Sequence, residues 1–417
     1  MTRTIRQRFP LLVSGGYATA TAGSALLLLT LLTIAGRFLT AADYGRFNYA
    51  LALTTIIETI MDIGLSQVTT RAVARSRTTV DRLFSHVLGL KLVWVTIGLA
   101  LLLVVAPVLR HDAGLVRLCY LMGISSAVRS YLLTARGLLQ GLDRFDLEAA
   151  LVVSDRSLLL VCGSAALWAG YGLFGLALAF VGARLTMIAV ARVVLKPLVG
   201  DGRPRYDRVV WRELQQAALP LGFFMIALNT YSYIDTVILG MMRSDAETGW
   251  YAASFKVYEG LTYAPSVLAA VLTPRLASLF VHDRVLHRSL LARGLAISVC
   301  LGAAIGGVAM WLAHPIVVTL FGIDYAPAVG PLQILAGGSL FVFATWILHA
   351  AAISINLDRR LLVTTAVGLA ANIGLNLVLI PTWGIRGSAW ATVIAEALTV
   401  GLLGTQVWRQ VWRQDRP

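Results

Sequence analysis

Only three cysteines occur in the chain, Cys119, Cys162 and Cys300, and each falls inside an apolar run. No disulfide framework or paired-thiolate metal site can be built from them, so they read as small packing residues. Histidine, with six residues, is also scarce: His282 and His287 flank a short polar loop with no further ligand cluster, and read as solvated side chains rather than a metal site. Lysine is confined to Lys91, Lys196 and Lys256, and none follows the glycine pattern of a phosphate-binding loop, which excludes a pump of that ATP-driven kind. Charge of either sign is rare, 13% of residues against 58% hydrophobic. A soluble chain of this length needs a charged skin over its core, so that class is excluded too.

What remains is a succession of apolar runs of about 20 residues, the length that crosses roughly 30 Å of hydrocarbon. They predict spans near 14–36, 46–69, 86–108, 115–138, 147–168 and 172–193, then 214–241, 250–274, 292–313, 328–353, 361–380 and 385–406. Arg3, Arg6 and Arg8 before the first run imitate a signal sequence, but the spans that follow predict an uncleaved first helix. Lysine and arginine total 35 against 21 acidic residues, an excess that alone would suggest nucleic acid. Their positions give another explanation, because the outer loops and outer span ends hold only Arg37, Arg46, Arg110, Arg117, Arg243 and Arg386, while 24 gather on the inner side. This bias predicts both termini in the cytoplasm and no nucleic-acid partner.

The polar stretch around Lys196, Arg203, Arg205, Arg208 and Arg212 divides the chain. It predicts a six-helix lobe over 1–195, a basic cytoplasmic linker over 196–212, a second lobe over 213–410 and a tail over 411–417. Sliding the second half back by 204 positions lays Gly45 on Gly249 and Arg71 on Arg275. ADYGRF from Ala42 then meets AETGWY from Ala246, and Leu142-Asp143-Arg144 recurs later as Leu357-Asp358-Arg359. The fold predicted is therefore all-α and polytopic, about twelve transmembrane helices in two lobes related by a pseudo-two-fold axis.

Polar residues in the spans are patterned. Asn48, Thr55, Glu58, Asp62, Ser66 and Thr69 keep to one face of the second span, and Lys256, Glu259, Thr262, Ser266 and Thr273 run along the eighth. Together they predict a water-filled cavity between the halves. Charges within spans also include Lys91, Arg129, Asp155, Arg156, Arg184, Asp235 and Glu396, each costing roughly 3 kcal/mol at mid-membrane unless it pairs, titrates, snorkels or meets water. Lys91 and Arg129, near the inner span ends, are expected to snorkel. Gly302 and Gly306 predict close helix packing.

AGRFLTAADYGRFNYALAL from Ala35 and DIGLSQVTTRAVAR from Asp62 resemble the opening of polysaccharide-biosynthesis flippases, the oligosaccharide or O-antigen branch of the multidrug, oligosaccharidyl-lipid and polysaccharide exporter superfamily. IDTVILGMM from Ile234 and ETGWYAASFKV from Glu247 resemble its seventh and eighth helices. The resemblance implies V-shaped lobes around a central cavity that opens to each side in turn. Asp62, Arg71, Asp235 and Lys256 occupy matching segments. Against the lipid II branch, no extra C-terminal helices are expected, and no basic residue stands in the first span before Arg37, which favours the oligosaccharide or O-antigen type.

The implied function is transfer of a polyprenyl-diphosphate-linked oligosaccharide across the bacterial cytoplasmic membrane, with no bond made or broken and no cofactor. Arg71, Arg275, Lys256, Arg184, Asn48 and Arg37 are the expected substrate contacts in the cavity and its mouth. Glu58, Asp62, Glu259, Asp235 and Glu396 are the expected gating or coupling groups, with H+ or Na+ as the ion. An inside-negative potential would assist an anionic headgroup by about 2.3 kcal/mol per charge per 100 mV. Expected partners are membrane lipid, a polysaccharide polymerase and glycosyltransferases. Two alternatives are a drug or cation antiporter of the same superfamily, which needs only a protonatable acid, and a membrane glycosyltransferase, ligase or polymerase. The latter needs a substantial outer segment, whereas the longest outer loop expected here is 313–327.

Overall fold

The computed structural model describes residues 20, 23–76, 80–200 and 202–412, with the side chains of 358 and 359 excepted. Arg3, Arg6 and Arg8, the start of the first expected span, Arg77 and most of the C-terminal tail lie outside the described residues, as do the side chains of the repeated Asp358-Arg359 pair. Among the described residues there is no strand.

The helices run α1 (Gly23–Phe38), α2 (Ala41–Asp62), α3 (Leu65–Arg75), α4 (Val80–Leu109), α5 (Ala113–Gly141), α6 (Phe145–Trp168), α7 (Gly172–Val199) and α8 (Arg208–Met242). They continue as α9 (Asp245–Leu261), α10 (Tyr263–His282), α11 (Arg284–Trp311), α12 (Ala313–Phe321), α13 (Val329–Gly337), α14 (Ser339–Ser354) and α15 (Asp358–Trp412). Eight helices or continuous helix pairs are long and apolar enough to cross a membrane, nine when the pair bent by 45° at Gly338 counts as one. The 55 residues of α15 are too long for one crossing, and Gly384, at φ 56° and ψ −134°, divides them. With its two arms taken separately and α1 and α5 added, the segments number twelve among the described residues. This is an all-α polytopic membrane protein.

Three expected spans are broken rather than continuous. The second divides into α2 and α3 at Ile63 and Gly64, whose φ angles are 42° and 81°. The eighth divides into α9 and α10 at Thr262, with Pro265 tolerated in the first turn of α10, where no intrahelical amide bond is due. The tenth bends at Gly338. The segment 313–327, expected as an outer loop, is instead helical: α12 is followed by a 3-10 turn over Ile323–Ala328.

The α2–α3 break has a local cause. A β-carbon on Gly64 would lie 2.8 Å from the Ala218 carbonyl oxygen and 2.9 Å from the Gly222 amide nitrogen, so α8 passes directly over the junction. Left-handed backbone and a close neighbour both require glycine there. Gly64→Ala is expected to cost about 2–3 kcal/mol, from strain plus overpacking. Thermal unfolding of the detergent-purified protein checks this, and an unchanged midpoint would mean that the junction yields freely.

The chain forms two compact units, one comprising the described residues up to Leu39 with Tyr49–Asn229, the other Thr40–Asn48 with Thr230 onward. In the first, Leu132, Leu139, Leu151, Met187 and Leu195 join α5, α6 and α7 in an apolar core. In the second, Tyr251, Tyr258, Leu335, Phe343 and Ile380 join α9, α13, α14 and α15. Gly302 and Gly306 pack α11 closely on α13 and α14, as their spacing predicts; a β-carbon on Gly302 would sit 3.0 Å from Leu340 Cα. Outward-facing Leu103, Val104 and Val108 fit a lipid solvent, and Trp168 and Trp311, 83% and 82% exposed, end α6 and α11 as interfacial anchors.

Candidate functional site

Each unit holds a buried polar cluster, and the two are neutralised differently. In the first unit, the α2 break carries Asp62 beside Lys91 of α4, and the two form an ion pair. Ser66 Oγ, one turn on, donates to the second Asp62 oxygen at 2.6 Å. One turn earlier Glu58 accepts from Arg129 of α5 at 3.1 Å. Arg184 of α7 pairs with Asp155 of α6, and Arg136 Nε of α5 donates to Glu148 of α6 at 2.7 Å. Lys91 is fully buried, so it does not snorkel as expected; its ammonium is matched by a carboxylate at the same depth. Arg129, too, turns inward to Glu58.

The stripe on the second span is buried along its whole length, Thr55, Glu58, Asp62, Ser66 and Thr69 in the first unit and Asn48 in the second. Its carboxylates meet cations of neighbouring helices within their own unit. Asn48 donates its amide to the Tyr44 carbonyl at 2.8 Å, a bond along its own helix.

In the second unit Asp235 of α8 is buried with no cationic partner among the described residues. Thr392 Oγ1 donates to it at 2.6 Å, Tyr251 Oη at 3.1 Å and Asn376 Nδ2 at 2.9 Å. Ser388 donates to the Asn376 carbonyl oxygen at 2.8 Å, and Asn372 Oδ1 lies 3.2 Å from the Asn376 amide. Glu396 is held likewise by Tyr231 Oη at 3.0 Å and Thr345 Oγ1 at 2.9 Å. A buried carboxylate surrounded by hydroxyl groups, with an amide N–H on one side of Asp235, can carry a proton, and its oxygens with those of the hydroxyls can instead hold a small hard cation.

Lys256 of α9 pairs with Glu259 at 2.8 Å and lies 5.8 Å from the Tyr233 ring centroid. Arg37, Arg71 and Arg275 are exposed on α1, α3 and α10. His282 is exposed, whereas His287 is 1% exposed, with Nδ1 2.9 Å from the Leu276 carbonyl; it is a packed core side chain rather than a solvated one. No cluster of three metal-ligating side chains occurs among the described residues.

The Asp235 surroundings were missed in sequence. A signal for them existed, because Asn372 and Asn376, then Ser388 and Thr392, recur at four-residue spacing on either side of Gly384 and so place polar groups on one face of each arm.

Apolar spans with paired charges and hydrogen-bonded carboxylates inside them define a polytopic membrane protein with a polar interior. The family described as polysaccharide biosynthesis protein matches residues 14–280, and the chain belongs to it. Over 174 residues the chain is 26% identical to the probable flippase AglR of Haloferax volcanii, covering 40% of this chain and 36% of that one. Over 220 residues it is 30% identical to the probable multidrug resistance protein NorM of Chromobacterium violaceum, covering 49% and 46%. The matched stretches thus span less than half of either relative. Among solved structures, the lipid II flippase MurJ in an inward closed conformation superposes with a TM-score of 0.79 at 14% identity, covering 94% of this chain and 87% of that one. An inward-facing multidrug resistance MATE family transporter of the MOP superfamily gives 0.73 at 15%, covering 95% and 100%. The fold is shared with both.

Proposed function

We propose that the protein is a flippase that carries polyprenyl-diphosphate-linked oligosaccharide from the cytoplasmic to the outer leaflet of the bacterial cytoplasmic membrane by alternating access. The observation that carries this reading is the ionisable cluster of α2, α4, α5, α6 and α7, a set of charges that lipid alone would not tolerate, in a chain of the polysaccharide biosynthesis family. A hydrophilic anionic headgroup needs such a polar interior, while its isoprenoid tail can remain in hydrocarbon. AglR and MurJ, both named flippases, support the same direction. Arg71, Arg275, Arg37 and Lys256 are then substrate contacts at the mouths, and membrane potential supplies part of the drive.

Coupling falls to Asp235, whose hydroxyl and amide neighbours suit H+ or Na+. Proteoliposomes carrying labelled lipid-linked oligosaccharide test the whole reading: flipping should require the protein and slow when an ionophore collapses the potential. Asp235→Asn should leave folding intact and remove any dependence on a sodium or proton gradient. Absence of flipping under all gradients would discard the reading.

Similarity to NorM, together with a cation-free buried carboxylate, favours a second reading as a drug or cation antiporter. Deletion of the gene separates the two. Loss of surface polysaccharide with unchanged drug susceptibility follows from the first, and drug sensitisation with intact polysaccharide follows from the second.

A further inference from the structure

The second unit carries a groove on its flank with a cavity volume of about 580 Å³, within the roughly 300–1,000 Å³ of small-molecule sites. Three helices build it. Gly330, Gln333 and Gly337 share one face of α13, Arg386, Trp390 and Val393 share one face of the second arm of α15, and Met310 closes the side near the end of α11. Each row spans seven residues, so the groove runs about 10 Å along both helices, most of the roughly 15 Å that one leaflet contributes to the hydrocarbon. Glycine keeps it open. The α13–α14 pair bends by 45° at Gly338, where a β-carbon would lie 2.9 Å from Val393 Cγ1, and at Gly337 a β-carbon would touch only Met310 Sδ, at 3.7 Å.

The chemistry of the groove is divided along its length. Arg386 lies over Gly330, its Nε 2.9 Å from where a β-carbon would stand, so both rows begin at one end with a guanidinium. Toward Gly338 the wall is apolar, made by Ile334, Phe341 and Val393. Trp383, three residues before Arg386, and Trp311, next to Met310, are 57% and 82% exposed, the placement of interfacial anchors. The guanidinium therefore stands at headgroup depth and the rest of the groove descends into hydrocarbon. Among the described residues Arg386 has no ion-pair partner, and no acidic side chain lines the groove.

We propose that this groove holds one anionic phospholipid of the surrounding bilayer, of the phosphatidylglycerol type, with its phosphate on Arg386 and one acyl chain along the glycine floor. A single guanidinium matches the single charge of a phosphodiester beside a wall that limits screening. The lining offers no carboxylate to the ammonium of a zwitterionic headgroup, whereas the Gln333 amide can both donate to and accept from glycerol hydroxyls. An isoprenoid diphosphate would bring further charge for which the groove has no cation. The occupant is a component of the membrane and not the cargo, so the proposal goes beyond the transport reading and stands apart from it.

Equilibrium binding of dioctanoyl phosphatidylglycerol to the detergent-purified full chain tests this, with dioctanoyl phosphatidylethanolamine, inorganic phosphate and farnesyl diphosphate as comparison arms. Phosphatidylglycerol should bind saturably and more tightly than each of the others. Arg386→Gln should weaken it by roughly tenfold or more, the scale of one charge-assisted hydrogen bond, and Arg386→Lys, which keeps the charge, by less. Gly337→Leu should abolish binding by filling the apolar part while Arg386 stays in place. Arg386 is exposed and holds no carboxylate, and a leucine at 337 meets no backbone of another helix, so these variants should elute as folded protein. No saturable binding by the wild type, or undiminished binding by Arg386→Gln or Gly337→Leu, would overturn the site. Equal affinity for phosphatidylethanolamine would overturn the choice of an anionic headgroup, and equal affinity for inorganic phosphate would overturn the role of the acyl chain. Equal or tighter binding of farnesyl diphosphate would overturn the assignment to bilayer lipid. Flipping is not read in any arm, so failure here leaves the transport reading untouched, and failure of that reading leaves the groove.

Discussion

Lys91→Met is expected to destabilise the protein by about 3–5 kcal/mol, because it leaves Asp62 charged and buried with its counter-ion gone. Ser66 remains as a donor, but one hydroxyl does not replace an ammonium. Asp62→Asn should cost a comparable amount by isolating the lysine. The double variant Asp62→Leu with Lys91→Met should recover most of the loss, since an apolar pair of similar volume carries no desolvation penalty. A cycle of the four proteins, followed as the fraction remaining monodisperse after heating in detergent, measures this. A Lys91→Met protein as stable as wild type would show that water reaches Asp62.

The second large effect is steric. Gly45 of α2 and Gly249 of α9, the pair laid on each other by the internal repeat, meet face to face within the second unit. A β-carbon on Gly45 would lie 2.8 Å from both the Asp245 carbonyl carbon and the Gly249 nitrogen; one on Gly249 would lie 2.9 Å from the Ala41 carbonyl carbon. The atoms in the way are backbone on both sides, and no rotamer change can clear them. Arg46 and Asp245 close the same crossing with an ion pair of 2.7 Å. Gly249→Leu is expected to cost at least about 3 kcal/mol and to abolish recovery of folded protein. Gly307→Leu is the control, since nothing lies within 4 Å of a β-carbon there and expression should be unchanged. Equal recovery of both variants would refute the crossing.

The number of spans and their all-helical nature were legible because bilayer thickness sets a length that apolar runs must match. Their interruptions were not. Ile63 and Gly64 carry no breaker stronger than a single glycine, and what breaks the helix is α8 passing over it, a tertiary contact invisible to periodicity. The same holds for the charges. That Asp62, Glu58, Asp155 and Arg184 lay inside apolar runs could be read directly, but pairing spans residues such as Glu58 and Arg129, which only the helix packing brings together. Lys91 illustrates the point, since proximity to a span end suggested an escape to the interface and the fold supplied a carboxylate instead.

The two units neutralise their buried acids by different chemistry, and an amide scan would read that difference directly. Swapping a carboxyl for a carboxamide in the first unit strands an ammonium or guanidinium, so those variants should be lost as misfolded protein before transport can be assayed. At Asp235 and Glu396 the surrounding hydroxyls can reverse their hydrogen bonds around a neutral amide, and the variants should survive for assay. Isosteric replacement is therefore an informative probe of chemistry in one half of the molecule and a probe of folding in the other.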